Sequence, residues 1–164
     1  MFSNAQPAKL KFIEPILTAA AEGNLAEVTR LLADNPALIN FQENGENNKG
    51  FTPLMCACLN GHLKVVEFLL EKNANTTLRN DLGETALLLA TNTEHLNIVR
   101  RLLDINKRNN AIATLDTPAT NGFTPLISAI QHGNIRLFNL FMARNVNVNL
   151  PYSSNGSTPA MFAA

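Results

Sequence analysis

Apolar residues recur along this chain with the spacing of short amphipathic helices. Leu63, Val66, Leu69 and Leu70 share one helix face, and the pattern returns in Leu96, Val99, Leu102 and Leu103 and again in Ile135, Phe138, Phe141 and Met142. Each of these stretches follows a more uniformly apolar one that opens on Thr: Thr52-Pro53-Leu54, Thr85-Ala86-Leu87 and Thr124-Pro125-Leu126. A Thr hydroxyl can accept a bond from an orphan amide of the first turn, and Pro fits the first helical position because no N–H is needed there. About nine residues on, Gly61 and Gly133, with Gly23 in an earlier copy, can take the left-handed conformation that ends a helix. The pattern predicts pairs of short antiparallel helices. Ala19, Ala57, Ala90 and Ala129 recur where only a small side chain lets adjacent helices approach.

The pairs are copies of one unit. Gly50-Phe51-Thr52-Pro53-Leu54-Met55-Cys56-Ala57 returns as Gly83-Glu84-Thr85-Ala86-Leu87-Leu88-Leu89-Ala90 and as Gly122-Phe123-Thr124-Pro125-Leu126-Ile127-Ser128-Ala129, with a last copy from Gly156 to Ala163. The glycines are spaced by 33, 39 and 34 residues. A degenerate first copy starts at Phe12, where Glu14 to Ala19 aligns with Thr52 to Ala57. One helix pair cannot hide its own apolar face, so the units must stack to make a core. The expectation is an all-α repeat solenoid forming a single domain over 1–164, with repeats at approximately 12–49, 50–82, 83–121 and 122–155 and a partial one at 156–164.

The Thr-Pro-Leu triplet followed by Gly61-His62-Leu63-Lys64-Val65-Val66-Glu67-Phe68-Leu69-Leu70 resembles the ankyrin repeat family, over residues 12 to 164. The resemblance implies an ankyrin-type stack of helix pairs with projecting finger loops or short hairpins, which form a concave surface with the first helices. It also implies a binding module, since the family has no common catalytic residue. The chain departs from the family in three ways. The His that usually follows the triplet is replaced by Leu17, Met55, Leu88, Ile127 and Met161, so an apolar contact must take the place of the family's Thr-His bond. Glu94 stands where the siblings have Gly61 and Gly133, and a left-handed residue with a side chain costs about 1 kcal/mol, which predicts a reshaped turn. Extra polar residues occur within 40–49 and 105–121, where fingers should project. Loop closure grows slowly with length, so 44–48 and 109–119 are expected outside the helical stack and removable without loss of the fold.

Composition narrows the function classes. Thirteen basic residues balance thirteen acidic ones, and this net charge of zero lacks the electrostatic footprint of a nucleic-acid binder. No run approaches the roughly 18 to 20 apolar residues of a membrane span, and the opening residues lack a signal peptide's apolar segment. The expected address is cytoplasmic, or the host cytoplasm for a secreted effector. The chain has 23 Asn, several beside Gly as in Asn60-Gly61 and Asn121-Gly122, which act as turn punctuation.

Candidate chemistry is sparse. Cys56, Cys58 and His62 form a C-x-C-x3-H string, but helix residues two apart point away from each other, so the thiols read as packed small hydrophobes rather than metal ligands. His62 and His95 occupy the same repeat position, which argues for a structural hydrogen bond. Arg100, Arg101, Lys107 and Arg108, with Asp104 between them, read as a solvated helix end. Asn149 matches the family's finger asparagine that hydroxylases can modify, with Asn40 a looser match, while an Asn simply tying a turn is the plainer reading. Neither a catalytic residue nor a cofactor or metal is expected.

The family's geometry places the residue before each triplet Thr on the concave side, which gives Ile13, Phe51, Glu84, Phe123 and Ser157. The ends of the first helices add Leu59 and Asn60, Asn92 and Thr93, and Gln131 and His132, and a finger adds Asp81 and Leu82. Phe51 and Phe123 are expected as exposed aromatic anchors on either side of Glu84, with folding back onto a neighbouring repeat as the competing outcome. The expected function is to bind another protein or peptide through this surface, as an adaptor, scaffold or host-directed bacterial effector. The alternative is the recognition arm of a larger enzyme with a catalytic domain beyond residue 164. The last copy stops near the end of a first helix with Ala160, Met161, Phe162 and Ala163 making an apolar face, so a further segment or another chain is expected to cover it.

Overall fold

The computed structural model describes residues 14–43, 50–108, 113–144 and 146–149. Within them the chain forms helices α1 (Pro15–Glu22), α2 (Leu25–Asp34), α3 (Pro53–Leu59), α4 (Leu63–Glu71), α5 (Ala86–Asn92), α6 (Leu96–Arg108), α7 (Ala113–Asp116), α8 (Pro125–Gln131) and α9 (Ile135–Met142), with a 3-10 turn at Pro36–Asn40. Four helix pairs stack in register. The first helices α1, α3, α5 and α8 pack side by side in that order, and α2, α4, α6 and α9 form the second row. None of the described helices is long and apolar enough to cross a membrane.

The triplet works as its chemistry predicts. Oγ1 of Thr52, Thr85 and Thr124 accepts from the backbone N–H of Met55, Leu88 and Ile127 at 3.2, 3.3 and 3.4 Å. Leu17, Met55, Leu88 and Ile127, which stand where the family has His, are all buried, so apolar packing replaces the polar contact there. Ala57, Ala90 and Ala129 are fully buried between neighbouring first helices. The final copy from Gly156 and the expected cover over it lie outside the described residues, as do positions 44–49 of the first insertion.

The second insertion corrects an expectation. Instead of lying outside the stack, its 113–116 stretch forms α7, which packs on α8, and Leu115 and Ala119 are buried. A buried leucine contributes to the core, so this segment is part of the packing rather than a removable loop.

Neighbouring repeats interlock where each first helix turns into its second. Gly23, Gly61 and Gly133 take φ of 74°, 78° and 64°, and Glu94 takes 59°, so the turn at Glu94 keeps the left-handed form and is not reshaped. The residues that follow Gly61, Glu94 and Gly133 reach the repeat before. His62 Nε2 lies 2.8 Å from the Ala21 carbonyl of the preceding repeat, and His95 hydrogen-bonds the backbone at Leu59. These imidazoles lie flush against the glycines, since a Cβ on Gly23 would come within 2.5 Å of His62 Nδ1 and one on Gly61 within 2.6 Å of His95 Cε1. Where the next repeat presents Asn134 in place of His, the preceding turn carries Glu94, and Asn134 Nδ2 donates to Glu94 Oε2 at 2.8 Å. The shorter amide leaves room for a side chain that an imidazole excludes.

This explains which turns require glycine. Nothing lies within 4 Å of a Cβ placed on Gly133. Gly133→Ala is therefore expected to cost only the left-handed backbone term of about 1 kcal/mol, and Gly61→Ala at least about 2 kcal/mol because the His95 ring must also move. Adding His95→Asn to Gly61→Ala should recover part of the difference. Urea denaturation of the four proteins decides it, and equal costs at the two glycines would show that the imidazole yields freely.

Candidate functional site

The fingers are short hairpins tied side by side. Asn80 N donates to Glu84 O at 3.0 Å and Gly83 N to Asn80 O at 2.8 Å, and the next finger repeats this with Ala119 N to Phe123 O and Gly122 N to Ala119 O, both at 2.9 Å. Thr120 donates to the Leu82 carbonyl from both its N–H and its hydroxyl at 2.9 Å. Gln42 Nε2 reaches Gly50 O at 2.8 Å and Arg79 O at 2.9 Å, tying the finger before α3 to the next. The Arg79 guanidinium is spent on the backbone, with Nε on Gly83 O at 2.8 Å and Nη2 on Pro118 O at 2.6 Å.

A line of polar side chains runs from the finger before α5 across the ends of two first helices. Asn80 Oδ1 accepts from the backbone N–H of Leu82 and Glu84 at 3.1 and 2.8 Å, and its Nδ2 donates to Glu84 Oε2 at 2.9 Å. Glu84 Oε1 makes a long contact of 3.5 Å with Asn92 Nδ2. Asn92 Oδ1 accepts from Ser128 Oγ at 2.6 Å, and Ser128 lies 3.4 Å from His132 Nδ1. The half-buried Glu84 carboxylate thus sits among amides that hold it in one orientation.

The structure brings together Glu84, Asn92 and His132 of the expected site and adds Asn80 and Ser128, which sequence reasoning missed. Ser128 had a signal, since it is polar where its siblings are Cys56 and Leu89. Asn80 had none beyond its place in a turn. The residues closing the first helices share a capping role: Asn60 Nδ2, Thr93 Oγ1 and His132 Nδ1 each bond the carbonyl four residues back, at 2.8, 3.0 and 2.8 Å. Asn60, Asp81, Gln131 and His132 are exposed, and Leu59, Asn92, Thr93 and Phe123 are half-buried. Leu82 is 40% exposed, a large apolar side chain at a finger tip.

Phe51 is a correction. It is 4% exposed and belongs to the core cluster, so it does not present its ring to a partner. Its register matches that of Glu84 and Phe123, but an apolar ring beside a forming core gains roughly 1.5 to 3 kcal/mol by turning inward, and the chain lets it do so. At Asn147 and Asn149 the turn is tied by Asn147, whose Oδ1 accepts from Asn149 N at 3.0 Å.

The ankyrin repeats profile, in three copies, matches residues 4–80 and 74–152. The chain belongs to the ankyrin repeat family. It is 39% identical over 90 residues to the human NAD-capped RNA hydrolase NUDT12, covering 55% of this chain and 19% of that protein. It is 34% identical over 130 residues to the probable E3 ubiquitin-protein ligase XBOS32 of Oryza sativa subsp. japonica, covering 79% of this chain and 25% of the ligase. It is 30% identical over 137 residues to the ankyrin repeat and SAM domain-containing protein 6 of Mus musculus, covering 82% of this chain and 14% of that protein. The chain therefore spans a quarter or less of the length of these relatives.

The remaining reactive groups serve the repeat architecture. Cys56 and Cys58 are fully buried free thiols, and burial pushes both well above the ordinary thiol range, Cys56 further raised by the nearby Cys58 and Glu43 charges. A thiol kept protonated is a poor nucleophile and metal ligand. Among the described residues no three His, Cys, Asp or Glu side chains converge in a way that could hold a metal. Asp104, at the basic end of α6, pairs with Arg144 beyond α9 at 2.8 Å, so part of that cluster joins repeats.

His95 links this architecture to pH. Burial pushes its imidazole below the ordinary value, with the Leu59 backbone bond opposing and the neighbouring His62 adding to the fall. The unfolded chain then takes up the proton more readily than the folded one. The stability this residue contributes is complete above the unfolded value of about 6.5 and is lost as pH falls through the lower folded value. The melting temperature should fall between about pH 7.5 and pH 5.5, and fall less in His95→Gln, as followed by circular dichroism. An identical slope in the variant would assign the loss to other groups.

Proposed function

We propose that this chain is a protein–protein interaction module that holds a partner protein or peptide on the face formed by its fingers and the ends of its first helices. The observation that carries this reading is the ordered polar line Asn80–Glu84–Asn92–Ser128–His132, flanked by the exposed Leu82, Asp81, Asn60 and Gln131. Side chains already held in place lose less conformational entropy when a partner arrives, and a rigid polar site beside an exposed apolar one suits selective binding. Ankyrin repeats bind protein partners, and the fingers here are cross-tied so that they act as one surface. The partner-facing set is Leu59, Asn60, Asp81, Leu82, Glu84, Asn92, Thr93, Phe123, Gln131 and His132, without Phe51.

A second reading draws on the relatives, in which the matched region is a small share of a hydrolase or a ubiquitin ligase. In that reading the module is the recognition arm of a larger enzyme and brings a substrate to a catalytic domain elsewhere. Both readings place the same face against the partner.

The test is affinity capture from the native cell, identified by mass spectrometry, with wild type compared with the Leu82→Ala/Gln131→Ala double variant and with Arg136→Ala on the opposite row of helices. Recovery of the partner should fall about tenfold or more in the double variant, as expected when central contacts are truncated, and stay unchanged in Arg136→Ala. Loss in Arg136→Ala alone would move the binding face to the second helices.

A further inference from the structure

The net charge of zero conceals a separation of charge between the two sides of the stack. Every described Lys and Arg except Arg79 lies on a second helix or just past its end. Arg79 stands at the fingers, but its guanidinium is occupied by two backbone carbonyls. On the finger face, Asp81 and Glu84 pair with no Lys or Arg among the described residues. Glu84 is held between two neutral amides, from Asn80 at 2.9 Å and Asn92 at 3.5 Å, which orient its oxygens without neutralising them. Leu82, on the same hairpin, exposes a large apolar side chain beside these two carboxylates.

We infer that Glu84 is the receptor for a basic side chain, arginine or lysine, in a partner segment whose neighbouring apolar residue packs on Leu82. This rests on the proposed finger-face reading and names the chemistry of the partner. An oriented carboxylate with free lone pairs on both oxygens matches a cation that donates several hydrogen bonds, and such charge-assisted bonds are stronger than neutral ones. A partner acid would meet Asp81 and Glu84 as like charges, while Arg79, the one cation among the described residues of this face, has its donors directed at the Gly83 and Pro118 carbonyls, so an acid is disfavoured. An uncharged polar partner would leave the carboxylate uncompensated as it is desolvated. The complementary cation satisfies both constraints.

The experiment uses a phage-displayed random peptide library panned against the folded chain, followed by fluorescence polarisation of the selected peptides on wild type, Glu84→Gln, Glu71→Gln and the Leu82→Ala/Gln131→Ala variant. Glu84→Gln keeps the shape and one oxygen for Asn80 while removing the charge, and its melting curve checks that the fold persists. The expected result is a consensus with Arg or Lys next to an apolar residue, binding about tenfold or more weaker to Glu84→Gln and equally well to Glu71→Gln on α4. A consensus without a basic residue, or a basic consensus that binds Glu84→Gln as tightly as wild type, overturns the inference. If those peptides still weaken on Leu82→Ala/Gln131→Ala, the finger-face reading stands without it. Selected peptides indifferent to every finger-face variant overturn both.

Discussion

The structure depends on the contact between the residue that opens each second helix and the left-handed turn of the repeat before it. Helix pairs of this size have no core of their own, so their apolar faces are buried only if each pair sits at a fixed offset on its neighbour. Hydrophobic packing alone is non-directional and sets that offset weakly. The imidazoles of His62 and His95 supply the direction: each lies flat on a glycine and bonds backbone of the preceding repeat, near Ala21 and Leu59. The Asn134–Glu94 pair meets the same requirement with different side chains, a longer one on the turn and a shorter one facing it.

Fixing that offset also positions the fingers. The fingers extend from the starts of the first helices, so a stack in register brings the Leu82 carbonyl to Thr120 and the Arg79 carbonyl to Gln42. Glu84 then lies beside Asn92 at the far end of its own helix, and Asn92 reaches Ser128 in the next repeat. The polar line thus crosses a repeat boundary, and its order is a consequence of how the repeats interlock. The capping bonds of Asn60, Thr93 and His132 show the other side of this economy, in which residues near the face also close helices.

The same burial that makes the core removes the two thiols from solvent. Cys56 and Cys58 lie between first helices, and His62 and His95 face backbone carbonyls of neighbouring repeats. The resemblance to a hydrolase and to a ubiquitin ligase lies within the repeat array of this chain.

The repeat period, the capping threonines, the glycine turns and the apolar faces were all legible in the chain, because each rests on local backbone chemistry or on side-chain spacing within one helix. The structural role of His62 and His95 was legible too, from their recurrence in register. Three features were decided only in three dimensions. Phe51 and Phe123 share a register, yet one ring is in the core and the other half-buried, so the local motif does not fix how deeply the ring is buried. The 113–116 segment reads as part of a polar insertion but folds as a helix that packs on α8, with Leu115 buried. Glu94 keeps a left-handed backbone because Asn134, forty residues later, is short enough to leave it room and polar enough to bond it. At Glu94 the deciding partner is distant in sequence, and its position is set by the stacking of the repeats.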